Sequence, residues 1–112
     1  MQLELKVRNT DLADALQRFI EQRLSLELGR YGDRVGRVVV KVSGLSGSRG
    51  GTKKSCRISA ELEPFGRVAV QETDLDLHAA VDRAAGRIGR LFAQRLERAQ
   101  ELRFGTQTAL AG

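Results

Sequence analysis

The 112-residue chain is poor in the side chains from which most catalytic and metal centres are built. It has one cysteine, one histidine and no tryptophan. With Cys56 alone no intrachain disulfide can form, which is typical of proteins from a reducing cytoplasm. A structural zinc site usually needs four Cys or His ligands, which Cys56 and His78 cannot supply. These absences exclude a disulfide scaffold and a structural zinc site, and we expect neither a metal nor a cofactor.

Long apolar runs are also missing from the sequence. No stretch approaches the roughly 18 apolar residues of a membrane helix, and the start, Met1 to Lys6, lacks the features of a signal peptide. No glycine-rich phosphate loop of standard spacing follows a predicted strand. Cys56 lies in an alternating strand pattern, which favours a buried structural thiol over a nucleophile. We therefore expect a cytoplasmic protein with no enzymatic activity, no small-molecule substrate and no membrane partner.

Positive charge, in contrast, is present in surplus and is unevenly placed. Nineteen Lys and Arg against fourteen Asp and Glu leave a formal net charge of +5. Seven basic residues and no acidic residue lie between Arg34 and Arg57, and five Arg against one Glu lie between Arg83 and Arg98. Such segregation of charge favours a polyanionic partner.

The hydrophobic pattern predicts the element order β-α-β-β-β-α in a single domain over residues 1–104, with residues 105–112 as a frayed tail. Alternating apolar residues predict four strands, around Leu3–Val7, Val38–Val42, Cys56–Leu62 and Val68–Val70. The glycine-rich stretch 43–52 is expected to be a flexible loop between adjacent strands. Together these elements predict an α+β two-layer sandwich, with two helices on one face of a four-stranded sheet, similar to a double-stranded RNA-binding domain.

Both predicted helices have a start signal and an apolar stripe. The first is expected to be capped by Asp11 and to stop at Gly29. The second is expected to be capped by Asp74 or Asp76 and to end at about Arg103. The stripes and strands predict one shared core, which includes Leu16, Phe19, Val40, Ile58, Val68, Val81, Ile88 and Phe92.

The second helix carries two further faces. Arg83, Arg87, Arg90, Gln94 and Arg98 form a basic stripe about 130° away from the apolar one. Gly86, Gly89 and Ala93 form a face of small residues beside Asp82. Because glycine costs a helix on the order of 1 kcal/mol relative to alanine, something is expected to approach this face closely. That neighbour is either another part of this chain, or a phosphate backbone or partner subunit.

The basic residues are candidates for binding RNA. Aromatic residues make up only 4% of the chain, so stacking platforms for single-stranded bases are not evident and contact through phosphates and shape is favoured. The alternative is that these side chains form ordinary solvated surfaces, on the helix and at the entry to a strand. The RNA-binding candidates are Arg83, Arg87, Arg90, Lys41, Lys53, Lys54 and Arg57.

Several segments, in their order and spacing, resemble the ribosome hibernation-promoting factor / ribosome-associated inhibitor A family in its short form. They are Met1–Leu3, Asp14–Ile20, Tyr31–Val35 and Asp76–Asp82, followed by basic residues at Arg87 and Arg90. The resemblance covers about residues 1–100. His78 stands where the family usually has tyrosine, and is either a plain first-turn residue or a pH-sensing or RNA-contacting one.

The resemblance implies a function. The family occupies the small ribosomal subunit where mRNA and tRNA anticodons would lie, and silences translation in stationary phase or under stress. The implied partners are the small subunit and its ribosomal RNA, which basic residues of the last helix contact at positions matching Arg87 and Arg90. No C-terminal dimerisation domain is expected after residue 112.

Two other functions fit the same residues. One is general binding of structured or double-stranded RNA, which the predicted topology would also support. The other is a protein-interaction module, in which the open sheet face binds an acidic protein or a second copy of itself. The residues expected on that face include Lys6, Arg8, Val39, Lys41, Arg57 and Ser59.

Overall fold

The computed structural model describes residues 1–45 and 53–111, with side chains for residues 1–44 and 53–100. Its strands are β1 (Gln2–Arg8), β2 (Val35–Leu45), β3 (Lys53–Leu62) and β4 (Gly66–Asp74), and its helices are α1 (Asp14–Leu28) and α2 (Leu77–Ala111). The strands form one sheet in the order β1-β2-β3-β4. β1 runs parallel to β2, whereas β2, β3 and β4 are antiparallel neighbours. The predicted α+β sandwich with two helices on a four-stranded sheet is confirmed.

The core lies between the helices and one face of the sheet. Six of the eight predicted core residues are buried, namely Val40, Ile58, Val68, Val81, Ile88 and Phe92. Leu16 and Phe19 of α1 are half-buried and pack against the same cluster. Side chains alternate along each strand, and in the described part of the chain both helices pack on one face of the sheet, so polar and charged side chains lie on the opposite face.

Two of the predicted helix caps are confirmed and one is wrong. Asp11 is not a cap, because α1 begins at Asp14 with Ala13 as its N-cap residue and no side-chain hydrogen bond at that end. Gly29 is the C-cap residue, as predicted, and leads into a short 3-10 helix over Gly29–Arg34. For α2, the Oδ1 atom of Asp76 accepts a hydrogen bond from the backbone N–H of His78 at 3.1 Å, which makes Asp76 the cap.

Two element ends differ from the prediction. β2 continues to Leu45, so the first residues of the predicted loop 43–52 belong to a strand, and residues 46–52 lie outside the described part of the chain. α2 continues past Arg103 to Ala111, since no proline follows and the cost of Gly105 does not end a helix. Fraying of residues 105–112 stays a prediction. No helix in the described residues is both long and apolar enough to cross a membrane.

The small-residue face of α2 packs against α1. The Arg23 Nε atom of α1 donates to Asp82 Oδ1 of α2 at 2.9 Å, and the same guanidinium pairs with Glu27 one turn along α1. A Cβ atom built on Gly89 would meet the Glu27 carboxylate, with Cδ at 3.1 Å and Cβ at 3.4 Å. The close approach that the glycines predict is therefore made by another part of this chain.

Because of this contact, substitution of the two glycines by alanine is expected to change stability differently. Gly86→Ala is expected to stabilise the protein by up to about 1 kcal/mol, because its Cβ would meet only arginine ends at 3.5 Å while helix propensity improves. Gly89→Ala is expected to be less stable than Gly86→Ala by about 1–2 kcal/mol, because it displaces Glu27 from Arg23. Urea unfolding measures both changes.

The control for this pair is the Glu27→Ala background. In the Glu27→Ala background the carboxylate is gone and the Cβ atom of residue 27, at 3.4 Å, makes an ordinary contact, so Gly89→Ala should then become stabilising, like Gly86→Ala. A destabilising effect that persists in the Glu27→Ala background would contradict the packing described here.

Candidate nucleic-acid interface

The basic stripe of α2 lies along β4, the strand at one edge of the sheet. The two Nη atoms of Arg83 donate to Asp74 Oδ2 at 3.0 Å and to the backbone carbonyl of Thr73 at 2.9 Å. The pKa of Asp74 is lowered by the backbone N–H of Asp76 and by the Arg83 guanidinium, and Asp74 in turn raises the pKa of Arg83. Arg83 is therefore an arginine with an ionised partner already in place.

Arg87 repeats this arrangement one turn later. Its Nη1 atom donates to Glu72 Oε1 at 3.0 Å and to the backbone carbonyl of Gln71 at 3.1 Å. Arg90, a further turn along, is exposed and pairs with no carboxylate among residues whose side chains are described. The structure thus places the three arginines together, and among the described side chains Arg83 and Arg87 have carboxylate partners whereas Arg90 has none.

The contacts of Arg83 and Arg87 with β4 have a structural role of their own. The carbonyls of Gln71 and Thr73 alternate along an edge strand, where unpaired backbone groups invite pairing with another chain. Two guanidinium groups satisfy these carbonyls instead. The basic stripe is therefore both a candidate RNA contact and a cover for the sheet edge.

The remaining RNA-binding candidates lie elsewhere. Lys41 of β2 and Arg57 of β3 are directly paired in the sheet and exposed on its open face. Lys53 is exposed at the start of β3, while Lys54 is half-buried and donates from Nζ to Thr10 Oγ1 at 3.1 Å. The structure therefore divides the seven candidates between the β4 edge, the open sheet face and the start of β3, and it gives Lys54 an internal partner.

Sequence reasoning missed two basic residues of the open face. Arg37 of β2 and Arg67 of β4 line the same depression as Lys41 and Arg57. The signal for Arg67 was available in the sequence, because Pro64 and Gly66 are typical of a tight turn. In the structure the Phe65 N–H donates to the Leu62 carbonyl, which closes this turn and sets the register of β3 and β4. That register places Arg67 opposite Glu61 and on the open face.

Cys56 and His78 occupy ordinary structural positions. Cys56 is fully buried in β3, and desolvation raises the pKa of its thiol to about 12, so the thiol stays protonated near neutral pH. This confirms its interpretation as a buried structural thiol. His78 is exposed at the start of α2, where its ring stacks on Phe19 with the ring centroids 3.8 Å apart.

Comparison with known proteins shows to which family the chain belongs. Residues 3–100 match the family described as sigma 54 modulation protein / S30EA ribosomal protein. The chain belongs to this family. The resemblance seen in the sequence is thereby confirmed, and family membership makes the protein a ribosome-associated factor.

The solved structures that resemble this member of the S30EA family include the following two. The N-terminal domain of Protein Y from Thermus thermophilus is 28% identical, with a TM-score of 0.68, over 84% of this chain and 98% of that one. A ribosomal subunit interface protein from Coxiella burnetii is 16% identical, with a TM-score of 0.69, over 87% and 99% of the two chains, and shows likeness of fold. No curated protein matches the sequence.

Proposed function

We propose that this protein binds the small ribosomal subunit through its ribosomal RNA and silences translation in stationary phase or under stress. The observation that carries the proposal is membership of the S30EA family over residues 3–100, nearly the whole chain. The similar protein from Coxiella burnetii is described as a ribosomal subunit interface protein, and the Thermus thermophilus domain has the same fold at higher identity.

The distribution of charge supports an RNA partner. The proposed contacts are Arg90 with its neighbours Arg83 and Arg87 on α2, and Lys41, Arg57 and Lys53 on the sheet, all exposed. Phosphate groups attract such clusters, and each contact releases condensed counterions. In this proposal the protein acts in the cytoplasm by occupying a surface, without catalysis and without a cofactor.

The test is sedimentation of the intact protein with ribosomes. In a sucrose gradient of stationary-phase lysate we expect the protein in the small-subunit and whole-ribosome fractions rather than at the top. Purified protein should bind purified small subunits more tightly than a free RNA duplex of equal charge, and should lower translation in a cell-free system.

Each part of the proposal has an opposing result. Protein that stays at the top of the gradient would contradict ribosome binding. Equal affinity for the duplex and the subunit would indicate a general RNA binder, and binding without any effect on cell-free translation would contradict silencing.

A further inference from the structure

The open face of the sheet, which neither helix covers, holds a shallow basin of about 260 Å³. Its floor is made of short side chains, since Val39 of β2 and Ser59 of β3 are directly paired there and both are half-buried. Longer charged side chains surround this floor: Lys6, Arg37, Lys41, Arg57, Glu61 and Arg67. The face is thus concave, with small residues at its centre and cations at its rim.

Three of these cations form a row across three strands. In the sheet register Lys6 of β1 lies opposite Lys41 of β2, and Lys41 lies opposite Arg57 of β3. Lys6 has a carboxylate at 3.8 Å, that of Glu4, whereas Lys41 and Arg57 form no ion pair among the described side chains. Like charges directly opposite one another destabilise a sheet, so this row costs the fold stability.

The other end of the basin is closer to neutral. Arg37 forms an ion pair with Glu4, and Arg67 lies 3.6 Å from the Glu61 carboxylate. With Lys6, Lys41 and Arg57 added, five cations face two carboxylates, which leaves a local charge of +3. At the β4 edge, by comparison, Arg83 and Arg87 are balanced by two carboxylates of β4.

We propose that this basin is a second RNA-binding site, in which the row Lys6, Lys41 and Arg57 binds backbone phosphates of ribosomal RNA. The proposal rests on the proposed function and deepens it, because two of its contacts, Lys41 and Arg57, are joined with Lys6 in one site on the side of the sheet opposite the helices. A ligand with closely spaced negative charges would offset the repulsion between Lys41 and Arg57, which form no ion pair among the described side chains.

The dimensions and chemistry of the basin favour an RNA backbone over other anions. Arg37 and Lys41 are four residues apart along β2, or about 13 Å, so a single phosphate cannot reach both ends of the basin whereas a nucleic-acid strand can. An acidic protein would be expected to bury apolar or aromatic anchors at the centre of its contact. The short side chains at the centre of this basin are Val39 and Ser59, with the exposed Ala69 beside Ser59 in the sheet register, and none of them is a large apolar or aromatic anchor.

The first test compares two double variants of equal charge. Lys41→Gln with Arg57→Gln should weaken binding to purified small subunits at least about tenfold at 0.15 M salt. The slope of log affinity against log salt concentration should become shallower by about one to two units. The matched control, Arg18→Gln with Arg95→Gln on exposed helix surfaces, should change affinity less than about threefold.

The same variants separate binding from folding. Because Lys41→Gln with Arg57→Gln relieves the repulsive row, its melting temperature should be equal to or higher than that of the natural protein. A variant that folds at least as well and binds worse has lost a contact with the ligand. Weaker binding together with a lower melting temperature would contradict this explanation.

The second test locates the RNA directly. An iron chelate that generates hydroxyl radicals is attached to Ala69→Cys on the open face, or to Gln22→Cys on the outer side of α1, both exposed positions. The natural thiol, Cys56, is buried and protonated and should not react. Ala69→Cys should cleave ribosomal RNA in the bound subunit strongly, and Gln22→Cys weakly.

The outcomes distinguish this site from the proposed function. If the natural protein binds subunits but both double variants lose affinity equally, the basin is not a site and the proposed function stands. Loss confined to the sheet variant without cleavage from Ala69→Cys would assign the face to an acidic protein and overturn the RNA site. If the natural protein does not bind subunits, both proposals fail.

Discussion

The triple variant Arg83→Ala, Arg87→Ala, Arg90→Ala is expected to bind the small ribosomal subunit at least about tenfold more weakly than the natural protein. Each arginine that contacts a phosphate releases counterions. Each such contact adds somewhat under one unit to the slope of a log–log plot of affinity against salt concentration. If all three engage, the slope should flatten by about two to three units. Binding titrations over a series of salt concentrations measure both quantities.

The ion pairs on β4 refine this expectation. Arg83 and Arg87 already have carboxylate partners, so their release of counterions on binding depends on separating those pairs. Arg90 has no such partner among the described side chains, and Arg90→Ala alone should account for about one unit of slope. Neutralising the partners, with Glu72→Gln and Asp74→Asn, should strengthen binding.

Stability must be measured beside affinity for the triple variant. Lying off the apolar stripe, these positions would be expected to change stability by only about half a kcal/mol each. The structure raises that expectation for Arg83 and Arg87, because each also donates a hydrogen bond to a backbone carbonyl of β4.

The control for the triple variant has to come from elsewhere on the surface. Arg18 and Arg23 both lie on the net-acidic first helix, but Arg23 holds Glu27 and Asp82 together and is unsuitable. Arg18→Ala with Arg95→Ala changes exposed positions only. Equal losses in both sets would indicate diffuse attraction, and an unchanged salt slope in the triple variant would remove α2 from the RNA interface.

Ile88→Ala is expected to destabilise the protein by about 2–5 kcal/mol. Ile88 of α2 is fully buried, and truncation of such a side chain loses its transfer free energy and leaves a cavity. For a domain that is stable by about 5–15 kcal/mol, this is a large fraction of the total. Urea unfolding at fixed salt measures the change.

Leu26→Ala is the matched control for Ile88→Ala. Leu26 also lies in a helix, but it is 77% exposed, so the same kind of truncation should change the free energy of unfolding by less than about half a kcal/mol. If Ile88→Ala costs as little as Leu26→Ala, α2 does not pack against the sheet as described.

The fold was largely predictable because its signals are local. Alternation in the four strands and the apolar stripes of both helices place Val40, Ile58 and Ile88 in one core, as the structure shows. Gly29 and Asp76 act where cap chemistry predicts. The cap prediction for Asp11 was wrong because two aspartates, Asp11 and Asp14, lie near this helix start, and the sequence alone does not show that α1 begins at Asp14.

The candidate site was less predictable, because it depends on contacts between distant segments. The charge of α2 could be counted from the sequence, but its neutralisation by Glu72 and Asp74 requires knowing that α2 lies over β4. Likewise the alternation pattern exposes Lys6, Lys41 and Arg57, but only the register shows that they are side by side.

The parallel pairing of β1 has a consequence for the motions of the basin. β2, β3 and β4 are joined by pairing between neighbours in sequence, whereas β1 is held by one ladder to β2 and by the half-buried Leu3 and Leu5. Local opening is cheapest where few buried contacts are lost, so amide hydrogens of β1 should exchange before those of β3. Because β1 carries Lys6, one side of the basin can move when an RNA strand binds, while the rest of the sheet stays folded.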